Sequence, residues 1–207
     1  MITVRQARAG DADVLGSIFA AAFRDDPAWS MFFPRAESRQ DKLRQYYRRA
    51  VRRHPERVDV AESDGVVLGA LLWSPPVADS GSGPSAWVRR LVATARAFVR
   101  RVLVGQPRRS VIHSRAIDAH RPGEPHWYVT DIATDPAARG RGVGSALLAH
   151  RLGLIDAAES PRPAFLESTT PGSQRLYERF GFRAVGTEET QPGQASTAMV
   201  RAPFSSE

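Results

Sequence analysis

Residues 139–144 read RGRGVG, three glycines set among two arginines and a valine where a polar run gives way to a Leu- and Ala-rich segment. Glycine at such a place costs ~0.5–1 kcal/mol relative to alanine, so bare backbone here calls for a use. The first N–H groups of a helix have no partner within it and lie at its positive dipole end. With no side chains in the way, a phosphate can approach them, and arginines add forked donors for its oxygens. Arg139, Gly140, Arg141, Gly142, Val143, Gly144 and Ser145 therefore form a candidate seat for a pyrophosphate. A glycine-rich turn closing a helix on a strand, with two solvated arginines, explains the same letters. No GK[ST] follows, so this is not a Walker loop, and the run lacks the GxGxxG of a dinucleotide fold.

Other residues of chemical interest are scattered. Glu167 alternates with Phe165 on an expected strand and so shares a face with an apolar neighbour, where burial raises a carboxyl pKa toward that of a general base; pairing with one of the many arginines is the plainer reading. His126 and Glu124, before the next strand inward, are lesser base candidates. Strict alternation puts Asp131 on the face of Trp127, where it would serve equally well as a partner for arginine. Tyr177 lies beside the Leu176/Phe180 stripe, so its ring can pack while its hydroxyl reaches a cleft. Asp25, Asp26, Trp29, Phe32 and Phe33 combine carboxylates with aromatics, a pairing that suits a cationic, partly apolar ligand, although buried rings under an acidic loop tip would look the same.

The elements that must position these residues can be read from periodicity. ITVRQAR (2–8) alternates as a strand. Asp11 stands where it can cap a helix with the stripe Val14, Leu15, Ile18, Phe19, Ala22 and Phe23. Pro27 and Pro34 bracket an aromatic loop, and an arginine-rich helix over 37–53 stops before Pro55. Two strand patterns flank Asp64-Gly65, a hairpin signature. A flexible loop (74–85), an amphipathic helix (85–104) and a shorter helix (108–120) follow. Strands are expected over 126–134, 163–169, 181–188 and 195–202, with helices over 142–158 and 173–180. The strand–helix–strand unit joins parallel strands by a right-handed crossover.

Bulk properties bound the function. A chain of 207 residues supports one sizeable core. It has no cysteine, which excludes disulfides, thiolate metal sites and a cysteine nucleophile, and its five histidines fall in no metal-binding spacing. No secretory leader and no stretch of ~18 apolar residues is visible, so a cytoplasmic protein without a membrane partner is expected. The net charge of +7 rests almost wholly on arginine, Lys42 being the lone lysine. No reading motif for nucleic acid accompanies it.

The stretch HWYVTDIATDPAARGRGVGSALL (126–148) resembles the acetyl-CoA-binding motif of the GNAT N-acetyltransferase superfamily, in which an R/Q-x-x-G-x-G/A turn follows a strand; Arg139, Gly142 and Gly144 fit it. A second family element follows in the right order, PAFLESTTPGSQRLYERFGF (163–182). Within the superfamily the similarity is greatest to puromycin N-acetyltransferase-like proteins. It covers the last 90 or so residues well and residues 28–119 only in layout. The resemblance implies an α/β (α+β) GNAT fold in one domain spanning 1–207: a mixed sheet of about seven strands, flanked by helices, with two parallel strands splayed. It further implies an acetyl-CoA-binding core at about 120–183, an acceptor-side region at about 20–121, and acetyl-CoA as co-substrate with no metal. The pantetheine arm would pair with the backbone of Ile132, Ala133 and Thr134. Tyr177 would be the general acid, Glu167 the base, and Asp26, Trp29, Phe33 and His126 would border the acceptor. The implied activity is acetylation of a small-molecule primary amine, such as an aminonucleoside, by a monomer or homodimer. A protein amine as acceptor, or a non-catalytic acyl-CoA-sensing or nucleic-acid-binding module, stays open.

Overall fold

The computed structural model describes residues 1–76, 108–191 and 193–203. The helix expected at 85–104 and most of the 74–85 loop lie outside the described residues. The chain runs β1 (Thr3–Gln6), α1 (Ala12–Ala22), α2 (Pro27–Phe32), α3 (Ala36–Arg53), β2 (Val58–Ser63), β3 (Val66–Ser74), α4 (Arg108–Ala119), β4 (Trp127–Thr134), α5 (Val143–Asp156), β5 (Ala164–Ser168), α6 (Pro171–Arg179), β6 (Arg183–Gln191) and β7 (Gln194–Arg201). The seven strands form one mixed sheet in the order β1-β2-β3-β4-β5-β7-β6. β4 and β5 pair in parallel; the other neighbours pair antiparallel.

Local chemistry accounts for the boundaries. Asp64 (φ 52°) and Gly65 (φ 76°) both take left-handed backbone, as the two-residue β2–β3 hairpin requires. The segment expected as an aromatic loop is helical instead: Pro27 sits in the first turn of α2, where its missing N–H costs nothing, and Asp26 caps it. Asp11 does not cap α1 with its side chain. Arg5 and the Arg8 N–H take that carboxylate, at 2.8 and 2.7 Å, and the same hydrogen bonds from Arg5 hold its pKa down. Val14, expected on the buried stripe, is 41% exposed, while Ala12, Leu15, Ile18 and Phe19 carry the buried face.

Helices cover both faces of the sheet. On one, α1 and α3 pack Leu15, Phe19, Leu43, Tyr47 and Val51 on Val58, Val60, Ala70 and Ala133. On the other, α5 packs Val143, Leu147, Leu148, Leu152 and Ile155 on Leu68, Leu71, Val129 and Leu166. Gly69 of β3 permits that closeness: a Cβ there would lie 2.5 Å from the Ala133 carbonyl oxygen and 2.8 Å from Val143. Arg151 of α5 reaches the buried Asp59 of β2 and lies over the Trp73 ring, 3.9 Å from its centroid. Helix α4 covers the β5–β7 end, with Ile117 against Phe165 and Ala198.

Candidate active site

β4 makes the opening. Its pairing with β5 spans Trp127–Val129 against Ala164–Leu166 and stops there, so the strands part beyond Val129 while β3 continues alongside β4 to Thr134. The Asp135 N–H donates to Leu68 O on the β3 side. Because peptide groups alternate along a strand, those of Ile132 and Thr134 turn toward the gap and those of Ala133 toward β3. Ile132 and Thr134 line the cleft, whereas the Ala133 side chain is buried among α1 and α3 residues.

The glycine turn closes one end of this gap. Gly140 (φ 78°) and Gly142 (φ 82°) take left-handed backbone, and a Cβ on either would meet nothing within 4 Å. The left-handed backbone requires glycine here, and the side where a Cβ would lie is open. The first bond of the α5 ladder runs from the Ala146 N–H to Gly142 O at 2.9 Å, which leaves the N–H groups of Val143, Gly144 and Ser145 ahead of it. Gly142, the cap residue, brings no side chain to satisfy them. Gly144 has a packing reason as well, since a Cβ would lie 3.3 Å from Leu176 of α6. Val143 turns its side chain into the core, so only its N–H is available. Arg139 lines the cleft; Arg141 is exposed outside it. Free N–H donors, open space and a cationic neighbour fit the diphosphate of acetyl-CoA.

The other end of the cleft, whose volume is about 2010 Å³, is walled by side chains. Asp26 is buried; it accepts the Trp29 N–H at 3.1 Å and the Thr169 hydroxyl at 2.5 Å, tying the start of α2 to the β5–α6 connection. Burial pushes its carboxyl pKa up. Trp29 stacks on Phe33 with 5.9 Å between centroids and meets Tyr46 edge-on at 5.3 Å. Phe32 joins that wall, while Asp25 is exposed and outside it.

Tyr177 lies at the junction of the two ends, 8% exposed. Burial pushes its pKa well above the usual phenol range, with Asp131 and Asp26 adding to the rise, so the hydroxyl keeps its proton at neutral pH. Glu167 also reaches the cleft. Its partner is no arginine: His113 Nε2 lies 2.7 Å from Oε1. His126 lies elsewhere, its Nδ1 2.9 Å from the Glu124 carbonyl oxygen, and neither residue lines the cleft.

Asp131 departs furthest from expectation. Leu72 pairs with Asp131 and Trp73 with Val129, so Thr130 is an extra residue, a β-bulge. The bulge reverses the alternation: Trp127 and Val129 face α5, while Asp131 turns to the cleft and accepts the Tyr47 hydroxyl at 2.9 Å. Withdrawal from water pushes the Asp131 carboxyl up to about 7 against the opposing Tyr47 hydrogen bond, with Asp26 and Glu167 adding to the rise. His113, Tyr47 and Thr169 carried no local signal in the sequence. Each gains its partner from an element far along the chain.

Among the described residues no group of three or more His, Cys, Asp or Glu side chains is placed to hold a metal ion, and no helix is long and apolar enough to cross a membrane.

Residues 20–182 match the family model of the GNAT acetyltransferases, and the chain belongs to that family. It is an acetyltransferase of a family that uses acetyl-CoA as co-substrate. A solved structure described as histone acetyltransferase HPA2 and related acetyltransferase, from Corynebacterium glutamicum, is similar over 99% of this chain and 98% of its own, with 27% identity and a TM-score of 0.71. A mosquito arylalkylamine N-acetyltransferase like 5b shares the fold over 98% of this chain and all of its own, at 17% identity and TM-score 0.64. A Drosophila melanogaster polyamine N-acetyltransferase, which forms N-acetylagmatine, does so at 18% and 0.59, over 98% of this chain and 100% of its own.

Proposed function

We propose that the chain is a single-domain enzyme that transfers the acetyl group of acetyl-CoA to the primary amine of a small, partly apolar molecule, an aminonucleoside of the puromycin type being the first to try. The observation that carries this is the cleft itself, in which carboxylates and stacked aromatic rings stand across from the glycine turn. Carboxylates attract the cation form of an amine, and rings cover an apolar body. The arylalkylamine and polyamine enzymes that share the fold act, by their names, on small amines.

Acetyl-CoA supplies the acetyl group as a thioester when bound. Arg139 and the N–H groups of Val143, Gly144 and Ser145 would hold its diphosphate, and the backbone of Ile132 and Thr134 its pantetheine arm. Glu167 takes a proton from the ammonium nitrogen, which frees the lone pair for attack. Tyr177, kept protonated by burial, gives its proton to the departing sulfur. Asp26, Trp29 and Phe33 shape the acceptor end. A second base stands on its own observation: Asp131 faces the same cleft with a pKa near 7, well matched to proton transfer at neutral pH.

A panel of amines that includes puromycin, arylalkylamines, diamines and a lysine peptide, scored by thiol release from acetyl-CoA, tests the reading. Turnover of one of the small amines is expected. Tight acetyl-CoA binding with no turnover of any amine would count for a sensing module, and preference for the peptide would count for a protein acceptor.

A further inference from the structure

We propose that His113 is a positioning residue: its Nε2–H holds one oxygen of Glu167 and thereby aims the other, Oε2, at the amine to be deprotonated. The inference rests on Glu167 being the base. His113 comes from α4, outside both sequence motifs that mark the family, and its partner lies 54 positions away. The His113 side chain is 4% exposed and that of Glu167 is 19%. Both side chains line the cleft, and the carboxylate is the more open of the two, with the imidazole as its support.

The second imidazole nitrogen fixes the direction of the bond. Nδ1 is buried with no hydrogen-bond partner among the described residues. A proton on Nδ1 alone would bury an unsatisfied donor and set the Nε2 lone pair against a carboxylate oxygen at 2.7 Å. A proton on Nε2 removes that second fault and is donated to Oε1. Among the described residues no other side chain donates a hydrogen bond to Glu167, so this one sets the orientation of its carboxylate. In the step itself one proton passes from the ammonium nitrogen to Oε2 and the electron pair of that N–H bond stays on nitrogen. Oε1 keeps the Nε2–H throughout. Positioning of this kind is worth having because small misplacements of a reacting group carry large rate penalties.

Other groups bear on the pH dependence. Asp26 from the start of α2, Asp131 and Tyr128 from β4, Asp118 and Arg121 from α4 and the turn after it, and Tyr177 from α6 all line the cleft that Glu167 faces. A profile must therefore be read as a difference between variants.

The test compares H113L, H113Q and E167Q with the wild type in kcat, both KM values and the pH profile of kcat/KM, after thermal melts confirm folding. H113L is expected to lower kcat about 10- to 100-fold, leave the acetyl-CoA KM unchanged and move the acid limb to higher pH. H113Q, whose amide nitrogen can donate from a similar position, is expected to recover most of the rate even if H113L folds poorly. Adding H113L or H113Q to E167Q should cost nothing further, since the group being aimed is gone. An H113L rate within twofold of wild type overturns the proposal. So does an H113Q as slow as H113L with an unmoved acid limb, or an equal loss in the E167Q background. If E167Q itself keeps full rate, the base assignment fails and the inference with it; if the wild type acetylates no amine, the functional reading fails.

Discussion

At the Gly142 end of the cleft the groups offered to a ligand are main-chain N–H and C=O, held by a left-handed turn and a stretch of β4 left open on its β5 side. At the Asp131 end they are side chains drawn from α2, α3, α4, β4, β5 and α6. Main-chain donors serve any sequence that makes the turn, so this end is cheap to keep and suits a co-substrate common to a family. Side chains can be exchanged one at a time without disturbing the sheet, so the other end is where acceptors can be told apart. The chemistry is expected where the two meet, at Tyr177.

Substitutions can break that division or sharpen it. The largest effect is expected from Y177F, which removes the proton donor and little else. It should lower kcat about 10²- to 10⁴-fold while calorimetry finds acetyl-CoA affinity unchanged; an unchanged rate would remove Tyr177 from the mechanism. Next comes G142A, which puts a Cβ on left-handed backbone at a cost of about 1–2 kcal/mol. The acetyl-CoA KM should rise about tenfold or more with the acceptor KM unmoved, and an equal rise in both would break the distinction between the ends.

D131N tests the other end through pH. The folded pKa of Asp131 is raised to about 7, above an unfolded value of about 3.9. Its contribution to stability is therefore fully present below the unfolded value and lost as the pH rises through 7. Melts should show D131N gaining on the wild type at pH 8 and losing that gain by about pH 4. If Asp131 is the base, the limb of kcat/KM near pH 7 disappears with it; survival of that limb would remove Asp131 from the role. H126A is the smallest: its ring lies outside the cleft, so both KM values and kcat should stay within about twofold.

The same division explains what could be read in advance. Left-handed backbone and an uncapped helix start demand glycine at fixed positions, and RGRGVG carries that demand in six adjacent letters. Strand alternation and helical stripes likewise placed the elements of the sheet and its covering helices. The acceptor end leaves no such trace. His113 meets Glu167, and Tyr47 meets Asp131 across 84 positions, only because the sheet brings their elements together. The aromatic run 27–32 looked like a loop because prolines bracket it, yet a proline in the first turn is compatible with a helix. Asp131 was assigned to the wrong face for a further reason: period-two counting fails at a bulge, and nothing in YVTDIA announces one.

The extra residue at Thr130 reaches beyond the cleft. Were Thr130 paired regularly instead of bulged, alternation from Val129 would turn the Asp131 carboxylate through the sheet into the layer that holds Leu147, Leu148 and Ile155. A bare anion among those aliphatic chains would unseat α5, and the helix start that presents the glycine turn would go with it. The bulge thus does two jobs: it keeps a charge out of the aliphatic layer beneath α5 and delivers it to the cleft.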